Sequence, residues 1–275
     1  STTRTDLALE SVQAACSGAE TGTISGVRSR ERTREGYAVT DIRVEDEDGA
    51  QALGKPVGRY VTVGLGPYFR READYFDRES GCLAGELAAL LPEGPVLAAG
   101  LGNRAMTCDA VGPASIDNLL VTRHMIRAMP RQFADFRPVA AVCPGVLART
   151  GLEALELVRG AVERVRPAAV IAVDALAARD SARLCATVQL SDSRAGARLR
   201  RGQPPQRPGT GAPWGVPVIA VGIPTVVDAD PRAGLFLTPP GIDQRIRELG
   251  RLLGYGITLA LQPSLTAADV TALLG

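Results

Sequence analysis

The sequence predicts an α/β sandwich, in which a mostly parallel central sheet carries helices on both faces and follows an N-terminal antiparallel β extension. Residues 20–65 alternate polar and apolar side chains between glycine-rich breaks, which is typical of antiparallel strands with one solvent-facing side. From Val96 onward, short and almost wholly apolar runs alternate with helical stretches, which indicates parallel strands covered on both faces. With 275 residues, 45% of them hydrophobic, the chain is long enough to bury such a core.

We expect these elements to form a single domain over residues 1–275. After the β-rich extension, the pattern at 73–91 has helical spacing and ends at the turn "PEGP". The α/β core covers residues 92–230. Its predicted strands are the apolar runs "VLAAGLG" (96–102), "VAAVCPG" (139–145), "AAVIAVDAL" (168–176), "ATVQL" (186–190) and "VPVIAVGIP" (216–224).

Two stretches differ in character from these runs. Residues 191–215 are dense in Gly, Pro and Arg and have no periodicity, so we expect a flexible loop there. No aromatic residues are interleaved among its arginines, which disfavours nucleic-acid binding by base stacking. Residues 237–262 carry apolar side chains at three-to-four spacing after two prolines, and they predict a long C-terminal helix.

The composition excludes several classes of function. The 31 basic and 30 acidic side chains nearly cancel, so no overall field attracts nucleic acid or anionic lipid. The cysteines are five in number, scattered and without a C-x-x-C pair, which indicates a reducing compartment and no structural zinc site. No apolar run reaches the length of about 20 residues that a membrane helix needs. We therefore expect a soluble intracellular protein.

Polar residues at the carboxyl ends of the predicted strands are the first candidates for a site, because ligands of open α/β sheets bind there. Three aspartates follow apolar runs in this way: Asp109, Asp174 and Asp228. Two carboxylates in one partly dry site can divide the roles of base and acid, one activating water and the other protonating a leaving amine. The alternative is that each aspartate caps a helix after a strand-to-helix turn.

Other chemistries find less support in the sequence. The glycine-rich turn that begins at Gly100 lacks the third glycine of a dinucleotide-binding motif. The single histidine, His124, lies on a predicted helix with no nucleophile elbow nearby, so we interpret it as a packed or surface residue. Cys108 and Cys143 lie near strand ends but have no obvious basic neighbour to activate a thiolate.

Longer motifs carry a family resemblance. In the germination protease family of spore-forming bacteria, similar motifs occur in the same order as here. The motifs are "GRYVT" (58–62), "GLGNRAMTCDAVGP" (100–113), "DNLLVTRHM" (117–125), "RPVAAVCPGVLARTGLEALELVRG" (137–160), "VIAVDALAARD" (170–180), "ATVQLSDS" (186–193), "GVPVIAVGIPTVVDA" (215–229) and "LTPPGID" (237–243). The chain resembles this family over most of its length.

The resemblance implies an endopeptidase that starts the degradation of small acid-soluble spore proteins at germination, in the cytoplasm of the forespore and the spore core. It implies a three-layer α/β/α fold of the phosphorylase/hydrolase-like type, similar to that of hydrogenase maturation proteases. Asp109 and Asp174 match the two proposed catalytic aspartates of the family, and donors near Asn103 are candidates to stabilise the oxyanion. Family members assemble as tetramers, so a homotetramer is expected, with no direct role for nucleic acid or membrane.

Two alternatives stay open beside the endopeptidase. One is a non-catalytic relative that binds peptides through the same cleft, although a binding module has no need for both Asp109 and Asp174. The other is a metal-dependent protease of the maturation type. We expect no cofactor, but the resemblance leaves the aspartic and the metallo class both open. The arginine-rich loop at 191–215 and a shortened stretch after "PTVVDAD" depart from the family pattern and bear on the range of substrates.

The N-terminal stretch "TDLALE" (5–10) resembles the motif at which the family's substrates are cut, between an acidic residue and a large apolar one. Family precursors are activated by removal of a short N-terminal segment at such a site. We therefore expect autoprocessing between Asp6 and Leu7, with residues 1–6 as a pro-segment and the chain from Ser1 as the uncleaved, inactive form. An ordinary frayed terminus is the alternative.

Overall fold

The protein is described here by a computed structural model that covers residues 5–17, 24–66, 74–192, 214–230 and 235–275. Within these ranges the strands are β1 (Val27–Arg34), β2 (Tyr37–Val44), β3 (Gly58–Gly64), β4 (Val96–Leu101), β5 (Val139–Gly145), β6 (Ala169–Ala178), β7 (Thr187–Ser191), β8 (Val218–Asp230) and β9 (Leu235–Leu237). The helices are α1 (Ala8–Ser17), α2 (Glu47–Leu53), α3 (Tyr75–Ala88), α4 (Val111–Ile116), α5 (Arg123–Ala128), α6 (Leu147–Thr150), α7 (Ala154–Val165), α8 (Ile242–Leu261) and α9 (Ala267–Leu274).

All of these strands belong to one sheet in the order β1-β2-β3-β7-β8-β6-β4-β5, with β9 paired to β8. The four strands β8, β6, β4 and β5 are parallel, whereas β1, β2, β3 and β7 continue the sheet in antiparallel pairs. The predicted fold class is thereby confirmed. The run at Ala186–Leu190 corresponds to β7, which is antiparallel to both of its neighbours and joins the N-terminal extension to the parallel core.

Helices cover both faces of the parallel strands, as their apolar character on both sides requires. On one face, α3, α4 and α8 pack against alternate strand residues such as Ile171 and Val173. On the other face, Val158 and Val162 of α7 pack against the intervening residues of β4 and β6. Because neighbouring residues of a strand point to opposite faces, each residue of β6 can be assigned to one helical layer.

Helix α8 lies unusually close to the segment that leaves β4. A Cβ atom at Gly250 would lie 2.6 Å from the Cβ of Ala114, and one at Gly254 would lie 2.5 Å from the carbonyl oxygen of Asn118. The two glycines therefore let α8 approach the backbone of α4 and the turn after it. This contact fixes α4, and with it the chain that follows β4, against the sheet.

The C-terminal region differs in detail from the prediction. The long helix begins at Ile242 instead of residue 237, because residues 235–237 pair with β8 as the edge strand β9. The short helix α9 follows, with a capping box between Thr266 and Asp269, and was not predicted. Most of the predicted loop at 191–215 lies outside the described residues. Of the helices that the structure describes, none combines the length and apolar character needed to cross a membrane.

Candidate active site

Asp174 lies on β6, toward the carboxyl end of the parallel strands. The neighbouring strands are β4 and β8. In the register of the sheet, Gly100 of β4 pairs with Val173, and Gly222 of β8 pairs with Asp174, so paired residues lie level with each other. Val173 packs in the layer of α3, α4 and α8, so Asp174 points to the opposite face, the one that carries α7. The Asp174 side chain is half-buried, and its Oδ1 accepts a hydrogen bond from the Ala175 N–H at 2.8 Å.

Asp109 reaches the same end of the sheet from the neighbouring strand. It is the last residue of a short 3-10 helix, Thr107–Asp109, which follows β4 after the turn at 102–106. The Asp109 carboxylate accepts a hydrogen bond from the Asn103 N–H at 2.9 Å. The loop is tight: Gly102 has φ +112°, and a Cβ there would lie 2.0 Å from the Asp109 carbonyl oxygen. The turn at 100–103 therefore folds the chain back and places Asp109, which is only 5% exposed, at the end of β4.

The third predicted aspartate, Asp228, lies on β8 and far along the sheet from Asp174. It lies on β8 six residues beyond Gly222 (222 to 228), which corresponds to a distance along the strand of about 20 Å. Its backbone is level with Phe236 of β9. Asp109 thus follows β4 and Asp174 lies within the adjacent strand β6, whereas Asp228 lies farther along β8 than Gly222, the residue paired with Asp174.

The other nucleophile and metal candidates lie elsewhere or lack suitable partners. His124 is exposed on α5. Contrary to the expectation that Cys143 has no basic neighbour, Arg104 lies beside its thiol; desolvation nevertheless outweighs the guanidinium and raises the pKa of the Cys143 thiol, which opposes the thiolate form that a nucleophile needs. Across the described ranges, no group of three or more His, Cys, Asp or Glu side chains is placed to hold a metal ion. Within the described ranges, these four residue types therefore do not form a site with three side-chain ligands for a metal.

The N-terminal segment lies against the end of β6, on the same strand as Asp174. The Asp6 N–H donates to the Ala177 carbonyl at 2.8 Å, and the Ala177 N–H donates to the Asp6 carboxylate at 2.9 Å. The Leu7 side chain is fully buried in an apolar cluster with Leu176, Ala178, Leu184 and Val227. Since Leu176 points to the same face of β6 as Asp174, the predicted cleavage site and Asp174 share one face of the sheet.

Gln189 contacts the chain on both sides of the predicted cleavage site. Its Nε2 donates to the Asp6 carbonyl oxygen at 3.2 Å, and its Oε1 accepts from the Ala8 N–H at 2.7 Å. The side chain is 8% exposed and lies on β7, where it is level with Gly222. We did not predict a role for this residue. The available signal was a polar residue at the centre of the apolar run "ATVQL".

Two buried charged residues hold the rest of the segment. The Glu10 carboxylate, on a residue 2% exposed, accepts from the N–H groups of Arg179 at 2.8 Å and Asp180 at 2.9 Å. Lys55, the single lysine of the chain, is 6% exposed and donates from Nζ to the Thr5 carbonyl at 3.1 Å. Residues 5–10 are therefore anchored at several points along their length, which does not fit the alternative of a frayed terminus.

Two comparisons of the sequence with known proteins agree on one family. A family model described as germination protease matches residues 4–233. A germination protease of Caldanaerobacter subterraneus is 37% identical over 322 aligned positions that cover 98% of each chain, and one of Clostridium perfringens is 34% identical with the same coverage. A germination protease of Priestia megaterium is 35% identical, over 97% of this chain and 76% of its own.

A solved structure gives a weaker match. The NiFe hydrogenase maturation protease HycI of Thermococcus kodakarensis is 16% identical and covers 62% of this chain and 98% of its own, with a TM-score of 0.33.

Proposed function

Because the chain belongs to the germination protease family and is therefore a spore-germination endopeptidase, we propose that it begins the degradation of small acid-soluble spore proteins. The proposal places the enzyme in the cytoplasm of the forespore and the spore core, where such substrates bind DNA. It further includes synthesis as a zymogen and assembly as a homotetramer. The exposed apolar side chains of β9, Leu235, Phe236 and Leu237, supply a surface that suits contact between copies.

Asp109 and Asp174 are the proposed catalytic pair. One carboxylate takes a proton from the attacking water, and the other carboxyl gives a proton to the departing nitrogen, so that no chemical component besides water is required. The position of Asp109 supports this role because the Asn103 N–H orients a carboxylate that is almost fully buried at the strand end. Asp174 supports it from the adjacent strand, on the face that also carries the N-terminal segment.

Autoprocessing between Asp6 and Leu7 is the proposed activation step. The docking of residues 5–10 against the end of β6 is the observation that carries this proposal, since it keeps a candidate bond beside the strand of Asp174. The residues on either side of the bond also set the proposed specificity. An acidic side chain binds the Ala177 N–H, and an apolar side chain fills the cluster around Leu184.

The test is incubation of the purified chain with a small acid-soluble spore protein, followed by sequencing of the fragments. We expect cuts after an acidic residue and before a large apolar one. Asp109→Asn and Asp174→Asn should each abolish cleavage while the circular dichroism spectrum is unchanged. Asp228→Asn is the matched control, because Asp228 is also a buried aspartate of this region but is not a member of the proposed pair.

Two results would contradict the proposal. An intact substrate bound tightly by the wild-type chain would identify a peptide-binding relative without activity. Full cleavage by Asp109→Asn or Asp174→Asn would remove that aspartate from the catalytic pair.

A further inference from the structure

We propose that Gln189 is a catalytic residue in the cleavage between Asp6 and Leu7, as the hydrogen-bond donor to the carbonyl oxygen that becomes the oxyanion. This inference rests on the autoprocessing site proposed above. Its basis is the contact between Gln189 Nε2 and the Asp6 carbonyl oxygen, at 3.2 Å. That oxygen belongs to the bond whose hydrolysis would release residues 1–6.

The orientation of the Gln189 amide follows from its two partners. The Ala8 N–H can only donate, so the oxygen Oε1 must face it, at 2.7 Å. The Asp6 carbonyl can only accept, so the NH₂ group must face that oxygen. Both contacts come from one planar amide on a side chain that is 92% buried. A donor fixed in this way needs little reorganisation when charge develops on the carbonyl oxygen.

The place of Gln189 in the sheet relates it to the proposed catalytic pair. Gln189 and Asp174 are both level with Gly222, so the three residues form one row across β7, β8 and β6. Residues in one row point to the same face, and strands two places apart lie about 10 Å from each other. The Leu176 side chain packs over Gly222 and against the apolar cluster that contains Leu7. It therefore lies between the sheet and the candidate bond.

The chemical step assigns a separate task to each group. The water oxygen forms a bond to the Asp6 carbonyl carbon, and the electron pair of the C=O double bond moves to the oxygen that Gln189 holds. A carboxylate of the proposed pair accepts the water proton. The oxyanion then reforms the C=O double bond, the bond from carbon to the Leu7 nitrogen breaks, and the other carboxyl of the pair gives its proton to this nitrogen. The products are the Asp6 α-carboxyl group and the Leu7 amine. Removing one donor of this kind slows hydrolysis by about 100- to 1,000-fold.

The other polar groups near the segment bind atoms other than the Asp6 carbonyl oxygen. Lys55 donates to the Thr5 carbonyl, one residue before the carbonyl of the candidate bond. Glu10 accepts from backbone N–H groups of Arg179 and Asp180. Asn103, near which an oxyanion donor was predicted, uses its N–H for the Asp109 carboxylate. Among these contacts, the one to the Asp6 carbonyl comes from Gln189.

The test uses the full chain and follows the loss of residues 1–6 by intact-protein mass spectrometry. Gln189→Glu keeps an acceptor for the Ala8 N–H and loses the NH₂ donor. Because Gln189 also helps to dock the segment, the docked fraction is measured by hydrogen exchange of the Ala177 amide, which the Asp6 carboxylate binds. The readout is the processing rate divided by this docked fraction. Should Gln189→Glu fail to fold, Gln189→Met is scored by the same ratio.

We expect this ratio to fall about 100- to 1,000-fold in the Gln189 variant. Gln262→Glu, the matched control, removes the NH₂ donor of another buried glutamine, which bonds the backbone of Arg137 away from the segment, and its ratio should stay within threefold of wild type. A Gln189 ratio within threefold of wild type would overturn the inference, since Gln189 would then only dock the segment. A wild-type chain that cleaves spore proteins but keeps residues 1–6 would instead overturn the autoprocessing site. A wild-type chain that cleaves neither would overturn the proposed function itself.

Discussion

Gln189 and Asp174 lie in one row of the sheet, on the same face and two strands apart, with Gly222 level with both on the strand between them. The parallel core supplies Asp174, and the antiparallel strand β7 supplies Gln189. The proposed site therefore lies at the junction between the two parts of the sheet. It depends on the register of β8 against both neighbours, because β8 is the strand that pairs with each of them.

The first prediction concerns Gly102→Ala. The new Cβ would meet the Asp109 carbonyl at 2.0 Å, and φ +112° is a conformation that alanine avoids. We expect the variant to lose about 1–3 kcal/mol in the free energy of unfolding and to lose cleavage, because Asp109 must move. Urea denaturation and a cleavage assay measure the two effects. Gly151→Ala is the control: φ is +71° there but nothing lies within 4 Å of the added Cβ, so stability should fall while activity is kept.

The second prediction concerns the residue before the cut. Asp6→Asn keeps an oxygen acceptor for the Ala177 N–H, whereas Asp6→Ala leaves that N–H without its side-chain partner. The loss of such a hydrogen bond costs about 1–2 kcal/mol of docking free energy, which corresponds to a processing rate lower by about tenfold. We expect Asp6→Asn to process about fivefold more slowly than wild type, because a neutral acceptor makes a weaker hydrogen bond than a carboxylate. Equal rates for the alanine and asparagine variants would show that the Asp6 side chain does not dock the segment.

The third prediction concerns stability at low pH. Glu86 of α3 is 1% exposed and binds both Arg32 and Arg34 of β1. Burial raises the pKa of Glu86, but the hydrogen bonds from Arg32 and Arg34 outweigh burial and leave the pKa below its ordinary value of 4.5. The folded chain therefore binds fewer protons at Glu86 than the unfolded chain does. The stabilisation is complete above the unfolded pKa and is lost as the pH falls through the folded pKa.

Glu86→Gln tests this pair. We expect it to lower the free energy of unfolding by about 2 kcal/mol at pH 7, less than for a fully buried ion pair because both arginines are partly exposed. The difference from wild type should shrink below pH 4.5, which urea denaturation at several pH values would show. A difference that is the same at all pH values would mean that the charge of Glu86 contributes nothing to stability.

The fourth prediction concerns metals. If Asp109 and Asp174 act on water directly, exhaustive dialysis against a chelator should leave the rate of substrate cleavage unchanged within about twofold. Zinc, manganese or magnesium added afterwards should not raise the rate. A loss of activity that one of these ions restores would support the metal-dependent alternative and would make the two aspartates candidate ligands.

The sequence predicted the parallel core well because its strands are apolar on both faces. Runs such as residues 96–102 and 168–176 have no polar side to place in water, so they fit a sheet that helices cover twice. The same reasoning located Asp109 and Asp174, since Asp109 is the first acidic residue after the run at 96–102 and Asp174 is the one acidic residue within the run at 168–176. Their proposed chemistry came from the family resemblance, because a carboxylate after a strand is equally able to cap a helix.

The sequence did not predict the role of Gln189, and the reason is physical. Which residues share a row depends on the register of β7, β8 and β6, and no local pattern in "ATVQL" specifies its partners. The edge strand β9 was missed for a similar reason, because three residues carry too little periodicity to indicate a strand. The helix predicted at 237–262 therefore begins earlier than α8 does.

Burial changes abruptly at the candidate bond: Thr5 and Asp6 are half-buried, whereas Leu7 and Ala8 are fully buried. A cut between Asp6 and Leu7 would thus discard the solvent-facing portion of the segment and leave every core side chain in place. Release of residues 1–6 would also remove the hydrogen-bond partners of the buried Lys55 and Gln189 side chains, so the melting temperature should fall modestly after processing. The buried side chains of the core, Leu7 and Ala8 among them, would remain in place after the cut. The proposed activation would therefore consist of removing residues that occupy the site.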